Sequence, residues 1–322
     1  MLIRAFGVLV LTAGPALAIE LDLPVACTPG QDCFIQQYVD RDAGPGVRDY
    51  SCGAETYDGH DGTDIRLRTT EDVKKGVAVL AVAPGKVLGL RDGEPDRLIR
   101  SEEDRAKVAD RECGNGVRID HGDGWVTQYC HLRQGSVTAK EGETVEAGAK
   151  LGEIGYSGEA AFPHVHLAVS KDDETVDPFL TEPDPACGKE GQSLWSAKAK
   201  AALPYQAGTL LGLGMSDQPI ELEALETGAP LAQPTPDTPV VTYMWAINLQ
   251  KDDVIALKLM RGDEVLVDNS ETLDRNKAQM MLFAGKKAPQ GGWPKGSYTG
   301  TVMVTRGGKP VISETTPPLV FD

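Results

Sequence analysis

Residues 162–169 have the sequence FPHVHLAV, an apolar and β-branched run that contains two histidines. In a β-strand, successive side chains point to opposite faces, so His164 and His166 are predicted to project from the same face. One imidazole can then hold a metal ion while its neighbour reaches the group that the metal activates. The chain has five histidines, and their surroundings predict that four of them share one site.

Short strand-like runs with glycine turns between them surround this stretch, over residues 51–180. Residues 77–90, VAVLAVAPGKVLGL, predict two strands joined by a Pro-Gly turn. Residues 116–132, GVRIDHGDGWVTQYCHL, predict a hairpin with a tight HGDG turn. The strands are too short for βαβ units, so we expect an all-β domain over residues 51–187.

Residues 91–112 interrupt this pattern because they are highly charged and contain helix formers after Pro95. They predict an inserted loop with a short helix between two strands. Such an insertion is either a solvated excursion, which is the simpler interpretation, or a wall beside the active-site groove. The sequence alone leaves both open.

The composition changes around residues 181–200, and no histidine or cysteine occurs from Leu203 onward. Strand-like segments at near-regular spacing predict a second domain over residues 203–322, a β-sandwich of immunoglobulin or fibronectin type. Trp245 and Trp293 are expected in the core of this sandwich rather than on a sugar-binding surface.

Residues 1–18, MLIRAFGVLVLTAGPALA, have the features of a secretory signal peptide. Arg4 supplies a positive charge, an apolar run follows, and the segment ends in a small-x-small pattern. No later stretch has the apolar length that spans a bilayer. We therefore expect a mature chain that begins with a turn-rich lead-in over residues 19–50, inserts in no membrane, and is periplasmic or secreted.

All six cysteines lie after this leader, and an even number in an exported chain favours disulfides. Cys27 and Cys33 flank a turn-rich segment and are predicted to form a local bridge. Thiolate zinc ligation is disfavoured because the chain contains no C-x-x-C pair. Two further pairs are hypotheses, since spacing does not fix connectivity: Cys113–Cys130 and Cys52–Cys187.

Charge and length narrow the possible functions further. The net charge of −16, from 48 acidic and 32 basic residues, argues against binding to nucleic acid or to anionic lipid. We interpret the acidity as a contribution to solubility. A chain of 322 residues favours about two domains.

Three segments carry the polar residues from which a catalytic site can be built. GHDGTD supplies His60 and Asp64, TQYCHL supplies His131, and PHVHL supplies His164 and His166. Catalytic zinc sites commonly use three histidine or carboxylate ligands and keep a fourth position open. Two histidines and one aspartate meet that requirement, and two histidines remain for proton transfer or oxyanion stabilisation. The residues alone do not say which three bind.

Two neighbouring polar residues are assigned other roles. His121 lies in the predicted IDHGDG turn and is expected at the surface or in turn packing. Tyr129 lies two residues before His131, so alternation predicts that they share a strand face. Packing is the expected role of Tyr129, with lining of the groove as the alternative.

The motifs and their order resemble the lysostaphin-type (LytM-like) zinc endopeptidases over roughly residues 55–180. GHDGTDIRL is similar to the H-x-x-x-D motif of that family, PHVHL to its H-x-H motif, and TQYCHL to the Y-x-H-L stretch between them. The resemblance implies an antiparallel β-sheet catalytic domain that binds one zinc ion. It also implies three metal ligands and two catalytic histidines: His60, Asp64 and His166 for the metal, His131 and His164 for catalysis.

The same resemblance implies hydrolysis of peptide bonds in peptidoglycan stems or cross-links, with a peptidoglycan peptide as substrate. The alternative is an inactive LytM-like protein that activates or scaffolds another cell-wall hydrolase. Relatives of that kind lack one or more ligands, whereas this chain has all five residues. A wall-binding module with a structural zinc ion would not need the two extra histidines. The C-terminal domain could bind the wall, bind a protein partner or brace the catalytic domain.

Overall fold

The computed structural model describes residues 19–182 and 191–322, which form eighteen strands and four short helices. The predicted signal peptide at residues 1–18 lies outside the described residues, as does Cys187. In the part that is described, no helix has the length and apolar character needed to cross a bilayer. Strands dominate, so the predicted all-β class is confirmed.

The N-terminal part, up to residue 202, contains ten of the strands and three of the helices. In chain order they are β1 (Cys33–Gln37), β2 (Gly62–Leu67), α1 (Thr70–Val73), β3 (Ala78–Leu80), β4 (Gly85–Arg91), α2 (Glu102–Lys107), β5 (Asn115–Gly122), β6 (Trp125–Leu132), β7 (Thr144–Val145), β8 (Lys150–Glu153), β9 (His164–Lys171), β10 (Glu174–Thr175) and α3 (Ala197–Ala202).

An antiparallel sheet with the order β1-β2-β9-β6-β5-β4-β7 forms the centre of this domain, and β10 pairs with β9. Strand β9 lies between β2 and β6, and its side chains alternate as predicted. Val165, Leu167 and Val169 are buried in the domain core, and the two histidines of the strand lie on the other face. The predicted lead-in contributes β1, the edge strand next to β2.

Two disulfides and one inserted helix follow the sequence predictions. Cys27 pairs with Cys33, and Cys113 pairs with Cys130, so the predicted local bridge and one of the two hypothesised pairs are confirmed. The other hypothesised pair, Cys52–Cys187, stays a hypothesis because Cys187 lies outside the described residues. The second bridge fastens the end of the 91–112 insertion to β6. That insertion contains α2, which begins after Ser101, whose side chain accepts a hydrogen bond from the backbone of the first turn.

The C-terminal domain is a two-sheet sandwich, as predicted. Its elements are β11 (Thr209–Ser216), α4 (Leu222–Thr227), β12 (Val240–Leu249), β13 (Val254–Arg261), β14 (Glu264–Thr272), β15 (Lys277–Lys286), β16 (Gly296–Arg306), β17 (Lys309–Thr315) and β18 (Leu319–Phe321). One sheet has the order β11-β12-β15 and the other β14-β13-β16-β17, with β18 on β16. Apolar residues from both sheets, including Met244, Leu257 and Val302, are buried together between them.

Trp245 corrects one prediction about this sandwich. Trp293 packs in a sandwich cluster with Tyr298, as expected. Trp245 is also buried but belongs to another cluster, with Phe34 of β1 and Leu225 of α4. Because it follows Met244 in β12, it points to the outer face of its sheet, and that face is covered by the catalytic domain and α4.

Candidate metal centre and active-site groove

Strand register brings the predicted metal ligands to adjacent positions. Asp64 of β2 pairs directly with His166 of β9 across the antiparallel ladder. His60 precedes β2 by two residues, in a loop whose backbone is fixed by a 2.7 Å hydrogen bond from Asp40 N to His60 O. Gly62 lies between His60 and Asp64 in the sequence, and a Cβ there would come within 2.6 Å of the His166 imidazole. Glycine is therefore required at this position to leave room for the His166 ring.

Three donor atoms form a nearly equilateral triangle. His60 Nε2 lies 3.2 Å from Asp64 Oδ1 and 3.2 Å from His166 Nδ1, and Asp64 Oδ1 lies 2.9 Å from His166 Nδ1. A tetrahedral zinc ion with bonds of about 2.0–2.1 Å separates its ligand atoms by about 3.3 Å. The spacing and the mixture of imidazole and carboxylate donors therefore fit a zinc ion.

Hydrogen bonds at the far side of the rings orient these donors. His60 Nδ1 lies 2.6 Å from the carbonyl oxygen of Tyr38 and donates to it, which leaves the lone pair on Nε2. His166 Nε2 lies 3.1 Å from a carboxylate oxygen of Asp61, which leaves Nδ1 for a metal. Outer contacts of this kind fix the tautomer and the ring orientation of metal-binding histidines.

The charges of the triangle also favour a cation. Burial would raise the pKa of Asp64, but the neighbouring imidazoles of His60 and His164 hold it well below its usual range. Burial would lower the pKa of His166, but Asp61 and Asp64 outweigh it and raise the value to about 9. The site thus attracts a proton to Nδ1 of His166, and a divalent cation competes with that proton for the same nitrogen.

The two predicted catalytic histidines lie beside the triangle. The rings of His131 and His164 are 4.5 Å apart, and His164 Nε2 lies 3.7 Å from Asp64 Oδ1. Each donates through Nδ1 to a backbone carbonyl at 2.8 Å, His131 to Ser157 and His164 to Phe162. Burial lowers the pKa of both imidazoles. At neutral pH each therefore presents an unprotonated Nε2, which suits proton acceptance.

His131 reaches this site against the alternation of its strand. Tyr129 is fully buried in the core, where its hydroxyl accepts a 2.9 Å hydrogen bond from Val82 N. Its predicted packing role is confirmed, but the two residues do not share a face. His131 has φ of +62°, in the left-handed region that non-glycine residues seldom adopt. That single residue turns the imidazole from the core side of β6 to the site.

His121 lies apart from the other histidines, as predicted. Its Nδ1 and Nε2 are each 2.7 Å from an oxygen, of Pro84 and Thr127 respectively. The structure thus gathers His60, Asp64, His131 and the two histidines of β9. Their division into ligands and catalytic residues stays a prediction.

A groove of about 440 Å³ opens next to these residues. One wall is Ile99, Arg100 and Arg105 of the 91–112 insertion, so the functional interpretation of that insertion gains support. Three contributions to this region were not predicted from the sequence. These are Asp61 behind His166, the buried Arg66 stacked 4.7 Å from Phe162, and a wall from the C-terminal domain composed of Glu226, Ala278 and Gln279.

One protein-family model matches part of the N-terminal domain. The sequence model of peptidase family M23 matches residues 58–178, a range that includes all five predicted site residues. The cell division protein DipM of Caulobacter vibrioides is 37% identical over 76 residues, which are 22% of this chain and 12% of DipM. The aligned stretch therefore spans about an eighth of that relative.

Solved structures of similar proteins include two peptidases. A putative peptidase M23 from Pseudomonas aeruginosa is 26% identical, with a TM-score of 0.31 and 51% of each chain covered. The catalytic domain of lysostaphin from Staphylococcus simulans is 20% identical, with a TM-score of 0.28, and 44% of this chain and 85% of that chain are covered.

Proposed function

We propose that this chain, whose residues 58–178 match the sequence model of peptidase family M23, is an exported, zinc-dependent endopeptidase that hydrolyses peptide bonds in peptidoglycan stems or cross-links. The observation that carries the proposal is the triangle of His60, Asp64 and His166 with two further unprotonated imidazoles beside it. A site that only held a structural ion would have no use for those two.

The metal would be held by the three triangle atoms. A zinc ion bound there supplies Lewis acidity, which polarises a peptide carbonyl and makes water more acidic. The chain's own residues fix the remaining chemistry. His131 and His164 keep their Nδ1 hydrogens on backbone carbonyls, so proton transfer is confined to the Nε2 atoms that face the groove.

Those two Nε2 atoms can perform both proton transfers of amide hydrolysis. One neutral imidazole accepts the proton of the attacking water, and the resulting imidazolium returns it to the leaving amine. The other stabilises the oxygen on which negative charge develops in its imidazolium form, because only then does its Nε2 carry a hydrogen to donate. The proximity of His131 and His164, at 4.5 Å between ring centroids, lets the two roles operate on one carbonyl. We propose that both residues are required.

Export to the periplasm or the medium is supported by two features. The leader at residues 1–18 has the composition of a signal peptide. The bridges Cys27–Cys33 and Cys113–Cys130 are typical of oxidising compartments.

A second candidate is a catalytically inactive activator or scaffold of another wall hydrolase. The similarity to a cell division protein is the observation that favours it. Against it stands the complete set of five site residues.

The test is digestion of isolated sacculi by the mature chain, with and without a chelator, and identification of the released peptides by mass. We expect fragments that disappear with the chelator and return on addition of zinc. His164→Ala should bind zinc yet release no fragments, whereas His60→Ala should lose both properties. Absence of any released peptide from zinc-loaded protein would favour the activator or scaffold.

A further inference from the structure

The C-terminal sandwich forms one wall of the groove that contains the catalytic histidines. Glu226 of α4 and Gln279 of β15 line the same space as His131 and His164. A domain in that position contacts whatever peptide enters the groove. Its residues therefore bear on substrate choice as well as on stability.

Buried contacts fix the position of this wall. Asn248 Nδ2 donates to Gln36 O at 2.8 Å and to Glu55 Oε2 at 3.1 Å, and all three residues are buried. Phe34 of β1 is 3% exposed and packs in one apolar cluster with Trp245. These contacts hold the sandwich against the edge strand of the catalytic sheet.

A chain of polar contacts leads from this interface to the groove. Arg66 is completely buried and donates through Nη1 to Gln279 Oε1 at 3.1 Å. Gln279 Nε2 donates to Glu226 Oε1 at 2.6 Å, and Arg100 Nη2 donates to Glu226 Oε2 at 2.5 Å. The carboxylate of Glu226 thus lies between two guanidinium groups, and this wall has one positive charge in excess.

Among the residues linked by these polar contacts, Arg100 is the arginine that a substrate can reach. Its side chain is 44% exposed and lines the groove, whereas Arg66 is enclosed. Ile99 N donates to Ala160 O at 2.9 Å, which fixes the neighbouring backbone beside the loop that precedes β9. Within the described ranges, Glu226 is the only side chain to which the Arg100 guanidinium donates, so most of its five N–H groups remain for a ligand.

Arg105, the other arginine of the groove, differs in this respect. It is paired with Glu159 at 2.6 Å and with Glu102 at 2.8 Å, so its charge is already balanced by two carboxylates. The two sides of the groove therefore differ: on the Arg100 side one carboxylate serves Arg100 and, through Gln279, the enclosed Arg66, whereas on the other side two carboxylates serve Arg105 alone.

We propose that Arg100 is a specificity-determining residue that binds a carboxylate of the substrate peptide, and that Glu226 of the C-terminal domain positions it. Arginine suits this task because its planar fork matches a carboxylate. The inference rests on the proposed function for the identity of the reaction, but the binding of an acidic peptide can be measured without cleavage.

The experiment uses two peptides that differ only in charge. One is a cross-linked stem peptide with free carboxyl groups, and the other is the same peptide with those groups converted to carboxamides. Dissociation constants are measured by calorimetry on the zinc-loaded, full-length His164→Ala variant, and kcat/KM is measured on the wild-type chain. We expect both measurements to favour the acidic peptide by about tenfold. This factor corresponds to the lower end of the range for a hydrogen bond to a charged group, because Arg100 is half-exposed.

Substitutions then locate the preference. Arg100→Gln should abolish the preference, whereas Arg111→Gln should retain it. Arg111 is in the same insertion, is similarly exposed at 48%, and pairs with Glu94 away from the groove. Glu226→Gln removes the competing charge but keeps an oxygen acceptor for Arg100, so the preference for the acidic peptide should be retained. Glu226→Ala removes that acceptor and should weaken the preference, and an undiminished preference in Glu226→Ala would refute the positioning role.

The outcomes separate the two proposals. Equal binding of both peptides, or equal loss for both in Arg100→Gln, would overturn the carboxylate subsite whatever the protein hydrolyses. Selective binding of the acidic peptide without any cleavage by the wild-type chain would support the subsite and contradict the endopeptidase proposal.

Discussion

Asp61 offers a direct test of the metal centre because it is not one of the proposed ligands. Its carboxylate lies 3.1 Å from Nε2 of His166, and Nδ1 of the same ring belongs to the triangle. Accepting the Nε2 hydrogen fixes the tautomer and increases the basicity of Nδ1. Asp61→Ala should therefore weaken zinc binding while every ligand remains in place.

The size of the effect follows from the exposure of the pair. Loss of such an outer partner costs about 10- to 100-fold in metal affinity. The Asp61 side chain is 64% exposed, whereas that of His166 is 13% exposed, so water can replace part of the lost hydrogen bond. We expect a decrease of about tenfold, or about 1.4 kcal/mol. Asp61→Asn, which keeps an oxygen acceptor, should lose less.

The assay is competition for zinc with a chromogenic chelator at fixed pH and ionic strength. Asp58→Ala is the matched control because Asp58 is an exposed carboxylate of the same loop. It removes the same charge without removing the partner of His166. If the two alanine variants lost affinity equally, general attraction of the cation would explain the result, and the orienting role of Asp61 would be refuted.

Three further predictions concern the surroundings of the site. Burial, reinforced by Asp49, raises the pKa of Glu55 to about 8. The contribution of protonated Glu55 to the free energy of unfolding is complete below the pKa of glutamate in the unfolded chain, about 4.3, and is lost as pH rises toward 8. Glu55→Gln should therefore flatten the decline of the melting temperature between pH 5 and 8, and an unchanged slope would contradict this assignment. Phe34→Ala should destabilise the protein by about 3 kcal/mol in denaturant titrations, since a buried aromatic is removed, whereas the control Phe283→Ala, at a side chain that is 40% exposed, should cost far less. Gly158 has φ of +75°, and a Cβ there would clash with Glu112 O. Gly158→Ala should therefore displace the Ser157 carbonyl that orients His131, and it should lower kcat without changing the zinc content. The control Gly122→Ala, at φ of +85° with open space around it, should leave kcat unchanged.

Local periodicity was sufficient for one part of the site. The two histidines of β9 share a face because strand geometry alternates, and Asp64 lies opposite His166 because the strands pair in that register. Histidine and aspartate residues interrupt strand-like runs that are otherwise apolar, and this interruption can be recognised in the sequence.

The position of His131 was not predictable in the same way. Alternation places it with Tyr129 on the core face, and a single left-handed residue reverses that placement. Such a conformation is held by tertiary contacts, here hydrogen bonds of the His131 backbone with Cys113 O and Gly155 N. Neither partner is close in sequence, so no local pattern indicates the turn.

Trp245 and Arg66 show a second limit. Both residues are buried, and the hydrophobic pattern correctly predicted that Trp245 is buried. The pattern does not indicate which domain covers a given face of a strand. Trp245 faces the catalytic domain instead of the sandwich interior, and Arg66 is buried between Phe162 and Trp245. A buried arginine in a strand is the type of residue that only an interface with matching acceptors explains.

This interface changes what a truncation can show. Removing residues 203–322 would expose Phe34 and would deprive the guanidinium of Arg66 of its Gln279 acceptor. It would also remove a wall of the groove, so loss of sacculus binding would not separate targeting from bracing or from substrate choice. Substitution of exposed sandwich residues, such as Val265 and Met303 at 48% and 46% exposure, leaves that interface in place. Sedimentation of those full-length variants with sacculi therefore isolates targeting, because a loss of binding with unchanged kcat/KM on the soluble stem peptide can come only from the outer surface of the sandwich.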